Sequence, residues 1–394
     1  MDTIEFSVTF LSLAIWIGLL GWRGQFWRAD EKIKVAETKL SSWPRICAII
    51  PARNEADVLP NALRELLTQD YPGCFTTILV DDNSTDGTAS IAENVARSLD
   101  KSDRLHIVSG SPLPPGWSGK LWALEQGISY AMAQQAPPDY FLLTDADIEH
   151  DKANLRQLVT KAEQEDLDMV SLMVLLRCEI FWEKLLIPAF VFFFQKLYPF
   201  PWVNDRNNNT AAAAGGCILI RREALTRIGG IEVIRNALID DCALARAVKS
   251  TSAKGGIWLG LTNLTRSLRP YPSLSSIWEM VARTAFTQLN YSQWLLLATI
   301  LGLILIYIVS PVAAIWGGLI GNWLMAVAGL SGWLLMSLAY LPTIRLYKSS
   351  PLWAFSLPVV ALLYTLMTLD SAIQYWQGRG GAWKGRVYKG NTAA

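Results

Sequence analysis

A long stretch of the chain, residues 284–344, contains no Asp, Glu, Lys or Arg. A soluble domain of this length would need charged side chains on its outer face, so the stretch is predicted to lie in a membrane. Three apolar segments, at 294–319, 323–341 and 352–369, are expected to enter or cross the bilayer as helices. Charges are frequent between Arg45 and Arg283, which predicts a water-soluble domain before the membrane part.

The N-terminal segment, residues 6–22, is also uncharged and just long enough to cross a hydrocarbon core of roughly 30 Å. A cleaved signal peptide is the alternative, but such peptides usually start with positive charge, whereas this chain starts with acids. We therefore expect residues 1–24 to form an uncleaved anchor. The basic residues after it are Arg23, Arg28, Lys32 and Lys34. By the positive-inside rule they predict a cytoplasmic domain on a multi-pass protein of the inner (plasma) membrane.

The remaining segments divide by composition. Residues 44–267 are expected to form the globular domain, 268–293 an interfacial segment, 294–376 the membrane helices and 377–394 a basic tail. The basic clusters at 345–348 and in the tail both favour the cytoplasm, although one full span between them would separate them. The last apolar segment is therefore re-entrant or interfacial, or one cluster lies outside. The aromatic segment 181–202 is either a buried helix or a helix in the bilayer interface, and the interface is favoured.

Composition excludes two classes of protein. The net charge is +1, which argues against a nucleic-acid binder with a broad basic surface. The five cysteines show no CxxC spacing and only two histidines are present, so a Cys/His zinc site is not expected.

The globular part alternates strand and helix patterns. Short apolar runs at 46–50, 77–80, 105–108 and 140–144 predict buried strands. Helical spacing covers 54–67 and 85–99 between them. This order predicts right-handed crossovers and an α/β domain with a mostly parallel sheet, whose ligands bind at the carboxyl ends of the strands.

Acidic motifs follow the first two strands. Glu55 ends the motif at 51–55, and a turn there would point it into the crevice above the sheet, although simple helix capping is the alternative. Asp81 and Asp82 end the second strand, where carboxylates can accept hydrogen bonds from a base or ribose. Such residues also make turns without any ligand, but two adjacent acids favour function.

Further along, Lys120 follows a Gly-containing turn at 116–119 that does not match a P-loop. A lysine at a helix start can reach a diphosphate, and a solvated lysine is the alternative. Glycines at 215–216 would allow close approach of a ligand, with a bulged strand as the alternative. Asp240 and Asp241 open a helix, where acids either cap the helix or serve as a general base.

Asp145 and Asp147 follow the fourth strand and flank Ala146. In an extended segment they would point the same way, and two carboxylates suit a hard cation such as Mg²⁺ or Mn²⁺. Burying two acids at this strand end would be costly without a cation. Asp147 is expected to bind the metal directly, and Asp145 to face the ribose or diphosphate instead.

Taken together, these motifs resemble the family 2 glycosyltransferases, an inverting group with the GT-A fold. The resemblance covers residues 46–250 and rests on PxxNE, VDDxSxDxT, GKxxAL, DAD, GG and an acid pair, in that order. It implies that Glu55, Asp82, Asp81, Ala52 and Arg53 surround the nucleoside of a nucleotide-sugar, with a UDP-sugar as the expected donor.

The same resemblance implies that Asp145 and Asp147 bind the metal and the diphosphate, with Lys120 or Arg283 assisting. Asp241 would be the catalytic base, in a pair where Asp240 replaces the usual Glu. The base would deprotonate an acceptor hydroxyl that attacks the anomeric carbon.

Many membrane members of the family carry a QxxRW motif, of which residues 280–284 keep only Arg283. The tail at 383–388 resembles that of membrane transferases acting on lipid alcohols, and the layout most resembles the hopene-associated glycosyltransferases. This implies a polar hopanoid or another membrane lipid as acceptor. The alternatives are a processive polysaccharide synthase, which the broken motif disfavours, a nucleotidyltransferase, and a catalytically inactive nucleotide-sugar-binding membrane protein.

Overall fold

The computed structural model describes residues 3–33, 40–251, 256–379, 382–383 and 386–387, and an eight-stranded sheet organises its first two thirds. The strands are β1 (Ile46–Ala52), β2 (Phe75–Asp81), β3 (Leu105–Ser109), β4 (Tyr140–Thr144), β5 (Ile148–Glu149), β6 (Leu167–Leu175), β7 (Cys217–Arg221) and β8 (Gly256–Ser267). Their order is β3-β2-β1-β4-β7-β6-β8-β5. Strands β1 to β4 pair in parallel, as do β6 and β8, whereas β7 and β5 run antiparallel to their neighbours. The predicted mostly parallel α/β sheet is confirmed.

Helices cover both faces of the sheet. Other helices form the apolar region that holds the candidate membrane spans, which we call the membrane part. The helices are α1 (Thr3–Trp22), α2 (Leu59–Leu67), α3 (Thr88–Ser98), α4 (Gly119–Met132), α5 (Asn154–Gln164), α6 (Phe181–Leu197), α7 (Phe200–Asn204), α8 (Arg222–Arg227), α9 (Asp240–Thr251), α10 (Leu274–Gln288), α11 (Gln293–Leu303), α12 (Val309–Leu319), α13 (Trp323–Leu346) and α14 (Leu357–Trp376). A π-helical turn, Ile304–Ile308, joins α11 to α12. Most of the predicted basic tail, 377–394, lies outside the described residues; within it, Ala382–Trp383 and Arg386–Val387 pair as short antiparallel strands.

The centre of the sheet is apolar because its strands are covered on both faces. All of β1 is buried, as expected for an inner parallel strand. Helix α4 packs so closely on β1 and β2 that a Cβ at Gly127 would lie 2.6 Å from Cγ2 of Ile49. This contact fixes α4, whose first turn holds Lys120, over the carboxyl ends of the strands.

Two predicted helices begin later than their apolar spacing suggested. The helix expected at 54–67 begins at Leu59, because Asn54 is left-handed (φ 52°) and accepts a hydrogen bond from the Thr85 amide at 2.8 Å. The helix expected at 85–99 begins at Thr88, after left-handed Gly87. The polar residues before each helix therefore form interlocked turns rather than first helical turns.

Within the part of the chain that the structure describes, four helical segments are long and apolar enough to cross a membrane: Ile4–Trp22, Gln293–Leu319, Trp323–Leu346 and Pro351–Trp376. Close packing of small residues joins α12 and α13, since a Cβ at Gly329 of α13 would lie 2.4 Å from the Ala314 amide nitrogen of α12. The segment for which a re-entrant or interfacial location was considered is one of the four.

Helix α6, expected in the bilayer interface, is instead largely buried inside the protein. Leu186, Ile187 and Phe192 have no exposed surface, because α6 packs between the sheet domain and the membrane helices. Its acid, Glu183, is satisfied locally by accepting hydrogen bonds from the Ile180 and Tyr271 amides. The buried-helix alternative is therefore the correct one.

Helix α10 connects the sheet domain to the membrane part. It packs along α14, where the indole of Trp278 donates to Asp370 at 2.8 Å and the Phe286 amide donates to Ser371 at 3.0 Å. The segment predicted to be interfacial thus lies directly beside a candidate membrane span.

Candidate active site

The first acidic cluster lies where β1 and β2 end side by side. The side chain of Asp82 is almost fully buried and lies 3.6 Å from Nη1 of Arg53, which also donates to the Asp82 carbonyl at 2.6 Å. Asp81 accepts a hydrogen bond from the Ser84 amide, and Ala52 is fully buried beneath the turn. Glu55 is held by its own amide, which donates to Thr88 Oγ1 at 3.0 Å. The residues predicted from the sequence to bind the nucleoside therefore lie together at the carboxyl ends of β1 and β2.

The DAD motif forms a turn, not the extended segment assumed from the sequence. The Ile148 amide donates to the Asp145 carbonyl, and the two carboxylates of the motif have different partners. Asp145 lies 2.9 Å from the ammonium of Lys120. Asp147 accepts a hydrogen bond from Ser267 Oγ at 2.7 Å. Because the chain turns directly after β4, the extended conformation expected for this motif is wrong, although both carboxylates line the same cavity.

Arg269 is a site residue that the sequence did not identify. Its Nη2 lies 3.0 and 3.2 Å from the two carboxylate oxygens of Glu55, and its Nε lies 3.3 Å from Asp147 Oδ2. Although burial lowers the pKa of the guanidinium, Asp147 and Glu55 raise it above its ordinary value. The feature of the sequence that could have identified it is its position after a buried strand and directly before Pro270.

Lys120 joins the DAD motif to the acid pair at the start of α9. Its Nζ lies 2.9 Å from Asp145 Oδ1 and 3.5 Å from Asp240 Oδ2. Although burial lowers the pKa of Lys120, Asp145 and Asp240 raise it above its ordinary value. For Asp145 the balance is opposite, since burial raises its carboxyl pKa despite the lysine. Lys120 therefore stays charged and forms ion pairs with two neighbouring acids.

Asp241 is held by backbone amides. Its Oδ2 accepts a hydrogen bond from the Gly215 amide at 3.0 Å, and its Oδ1 accepts one from the Cys242 amide at 2.7 Å. Burial, followed by the negative charge of Asp240, raises the pKa of Asp241 to about 6. A carboxylate with fixed orientation and a pKa near neutrality has the properties of a general base.

The open space above the sheet is one cavity of about 680 Å³. Its sheet side is lined by Glu55, Lys120, Asp145, Asp147, Asp240 and Arg269. Its membrane side is lined by Met280, Arg283 and Thr284 of α10 and by Gln374 and Arg379 at the end of α14. Asp241 borders an adjoining space of about 20 Å³ together with Lys120 and Asp145. The cavity thus extends from the carboxyl ends of the strands to the ends of the membrane helices.

A second, apolar groove of about 370 Å³ lies on the membrane part. It is lined by Gln293, Leu296, Leu297 and Ile300 of α11 and by Trp376 of α14. Trp376 is two residues beyond Gln374, which lines the main cavity. The C-terminal end of α14 therefore contributes one residue to the groove and another to the cavity.

His150, the histidine nearest the DAD motif, serves the fold. Its two ring nitrogens lie 2.9 Å from Thr144 Oγ1 and 2.9 Å from Asn154 Nδ2. Burial lowers the pKa of His150 to about 4, so the ring is neutral at pH 7. Since both ring nitrogens of His150 already have hydrogen-bond partners, the groups of this region that remain to bind a metal are the oxygen atoms of the DAD motif.

The DAD carboxylates are chemically suited to a divalent cation. Among the described residues, no group of three or more His, Cys, Asp or Glu side chains could hold a metal ion. Mg²⁺ and Mn²⁺, however, are often bound by one or two carboxylates while substrate phosphates complete the coordination shell. Asp147 and Asp145 fit that second arrangement.

Comparisons with known proteins agree with this architecture. Residues 47–229 match the family model described as "Glycosyl transferase family 2". A mannosyltransferase from Pyrobaculum calidifontis, solved in complex with GDP-Man and Mn²⁺, is 18% identical with a TM-score of 0.58 and covers 94% of this chain and 99% of its own. This likeness concerns the fold, and the predicted GT-A fold is confirmed.

Two curated relatives match a shorter region. The 4,4'-diaponeurosporenoate glycosyltransferase of Staphylococcus haemolyticus is 31% identical over 149 residues, covering 38% of this chain and 35% of the relative. The beta-monoglucosyldiacylglycerol synthase of Synechocystis sp. is 30% identical over 118 residues, covering 30% of this chain and 22% of the relative. The matched region thus spans about a third of the first relative and about a fifth of the second.

Proposed function

We propose that this chain, whose residues 47–229 match glycosyl transferase family 2, is an inverting glycosyltransferase that moves a sugar from a nucleotide-sugar to a membrane lipid. The single observation behind the proposal is the position of Asp241. It lies beside Lys120 and the DAD motif, in fixed orientation and with a pKa raised to about 6. That arrangement combines a base with a site for the charged part of a donor.

Asp241 is the proposed base, rather than Asp240, because the two differ in their partners. Asp240 lies 3.5 Å from the Lys120 ammonium and forms an ion pair with it. Asp241 is oriented by backbone amides and has the raised pKa, so it can both accept and release a proton near neutral pH. It would remove the proton of the acceptor hydroxyl as that oxygen attacks the anomeric carbon on the face opposite the leaving nucleoside diphosphate.

The donor would lie along the sheet side of the cavity. Glu55 and Asp82, with Asp81, Ala52 and Arg53, are the proposed nucleoside-binding residues. Lys120, Asp145 and Arg283 are proposed to position the diphosphate, and Asp147 with Asp145 would hold Mg²⁺ or Mn²⁺. When bound, such a cation supplies positive charge to the leaving diphosphate. A UDP-sugar is the first donor to test, and GDP-mannose is the second.

The acceptor is proposed to be a lipid because the cavity reaches the membrane part. Its membrane side is built by α10 and the end of α14, and α14 also contributes Trp376 to the apolar groove. The names of both curated relatives also refer to lipid substrates. A polar hopanoid is one candidate within this class. The basic residues after α1 support a location in the inner membrane with the sheet domain in the cytoplasm.

The proposal is tested with membranes containing the overproduced protein and a panel of labelled nucleotide-sugars. We expect label in the lipid extract, dependent on a divalent cation and abolished by chelator. Label in a long water-soluble polymer would instead indicate a processive synthase. Donor binding without transfer to any fraction would indicate an inactive nucleotide-sugar-binding protein, and release of pyrophosphate would indicate a nucleotidyltransferase.

A further inference from the structure

We infer that Arg269 is an internal counter-ion of the active site that competes with a divalent cation for Asp147. This inference rests on the proposed function, because it assumes that Asp147 is a metal ligand. Arg269 has no role in the proposed mechanism so far, and it would control metal affinity before the donor binds.

The first observation is that Arg269 bridges the two acidic motifs of the sheet side. Its guanidinium contacts both oxygens of Glu55, at 3.0 and 3.2 Å, and Asp147 Oδ2 at 3.3 Å. The side chains of Glu55 and Asp147 are only 8% and 7% exposed. Two acids with so little contact to water need a nearby positive charge, and Arg269 provides it.

The second observation is that the backbone fixes Arg269 in this position. The Leu268 amide donates to the Asp147 carbonyl at 2.8 Å, and the Arg269 amide donates to Ser267 Oγ at 3.3 Å. Ser267 Oγ in turn donates to Asp147 Oδ2. The end of β8 is therefore attached to the DAD turn at several points, which holds the backbone of Arg269 close to Asp147.

A cation at Asp147 would compete with the positive charge of Arg269. A cation that binds Asp147 must share that carboxylate with Arg269 or displace the guanidinium from it, and either change costs free energy. Phosphate oxygens of a donor would add negative charge and reduce this cost. Arg269 should therefore keep metal affinity low until a nucleoside diphosphate is present.

The test is Mn²⁺ binding to the purified, detergent-solubilised full chain without nucleotide, followed by the electron paramagnetic resonance signal of free Mn²⁺. Arg269→Gln removes the charge and should bind Mn²⁺ about tenfold more tightly than the wild type. Arg269→Lys keeps the charge and should bind within about threefold of the wild type. Arg269→Met serves as a second charge-removing variant in case Arg269→Gln does not fold.

The matched control is Arg266→Gln, which lies in β8 three residues before Arg269. Arg266 pairs with Glu149 at 2.9 Å and does not line the cavity, so its loss removes equal charge without exposing Asp147. Asp147→Asn locates the site and should weaken Mn²⁺ binding relative to the wild type. Unchanged affinity in both charge-removing variants, with Asp147→Asn still weakened, overturns the role of Arg269 alone. Wild-type affinity in Asp147→Asn overturns both the metal assignment and this inference.

Discussion

The sheet side and the membrane side of the cavity differ in how their charges are balanced. On the sheet side, Lys120 pairs with Asp145 and Asp240, and Arg269 pairs with Glu55 and Asp147. On the membrane side, neither Arg283 nor Arg379 forms an ion pair with any described acid. On the sheet side each cation is already paired with two acids, whereas the two arginines on the membrane side keep their positive charge available.

This difference separates two kinds of recognition. The proposed donor would insert its diphosphate and cation among groups that already have partners, so its binding would depend on the placement of acids and bases. The proposed acceptor would enter between helices that offer apolar surface and unpaired arginines, so its binding would depend on shape and hydrophobic contact. Changes on the sheet side should therefore affect the chemical step, and changes on the membrane side should affect acceptor affinity.

The largest effect is expected for Asp241→Asn. This change removes the proposed base and should reduce kcat about a thousandfold, because general bases contribute roughly 10²–10⁴-fold. Nucleotide binding, measured by calorimetry, should stay within about twofold of the wild type, since Asp241 is not among the proposed donor-binding residues. Asp240→Asn is the matched control and should lose less activity. Near-normal turnover of Asp241→Asn would contradict the base assignment.

Loss of Lys120 should have the next largest effect. Lys120→Met leaves Asp145, Asp240 and Asp241 without their shared positive charge and should lower kcat/KM about a hundredfold. Lys161→Met is the control, because Lys161 pairs with Glu165 on the surface of α5. Equal losses in both variants would show that the effect is not specific to the site.

The strand ends and their motifs were predictable from the sequence because apolar runs and the acids that follow them are adjacent along the chain. The different partners of Asp145 and Asp147 were not predictable, since they depend on a turn closed by the Ile148 amide. Arg269 was not either, because it lies 214 residues from Glu55 and only the sheet brings the two together. The buried position of α6 likewise depends on contacts with helices distant in sequence.

A smaller effect concerns pH. Burial and Asp240 raise the pKa of Asp241 to about 6, so the base is deprotonated above this pH and protonated below it. We expect kcat/KM to be constant above neutrality and to fall about tenfold per pH unit below the pKa. Lys120→Met should move this midpoint upward, because the lysine lowers the pKa of Asp241. A midpoint near 4 in both proteins would show that a different group titrates.

The smallest effect is expected in the apolar groove, where a bulky side chain should hinder only the acceptor. Leu297→Trp fills the groove and should raise KM for the lipid acceptor about fivefold with kcat and KM for the donor unchanged, because the groove is remote from the sheet side. Leu295→Trp is the matched control, since Leu295 lies on the same helix and is 46% exposed against 47% for Leu297, but does not line the groove. Initial rates with varied lipid in mixed micelles give both constants. If the two variants behave alike, the acceptor does not use this groove, and the membrane side of the cavity alone would have to select the lipid.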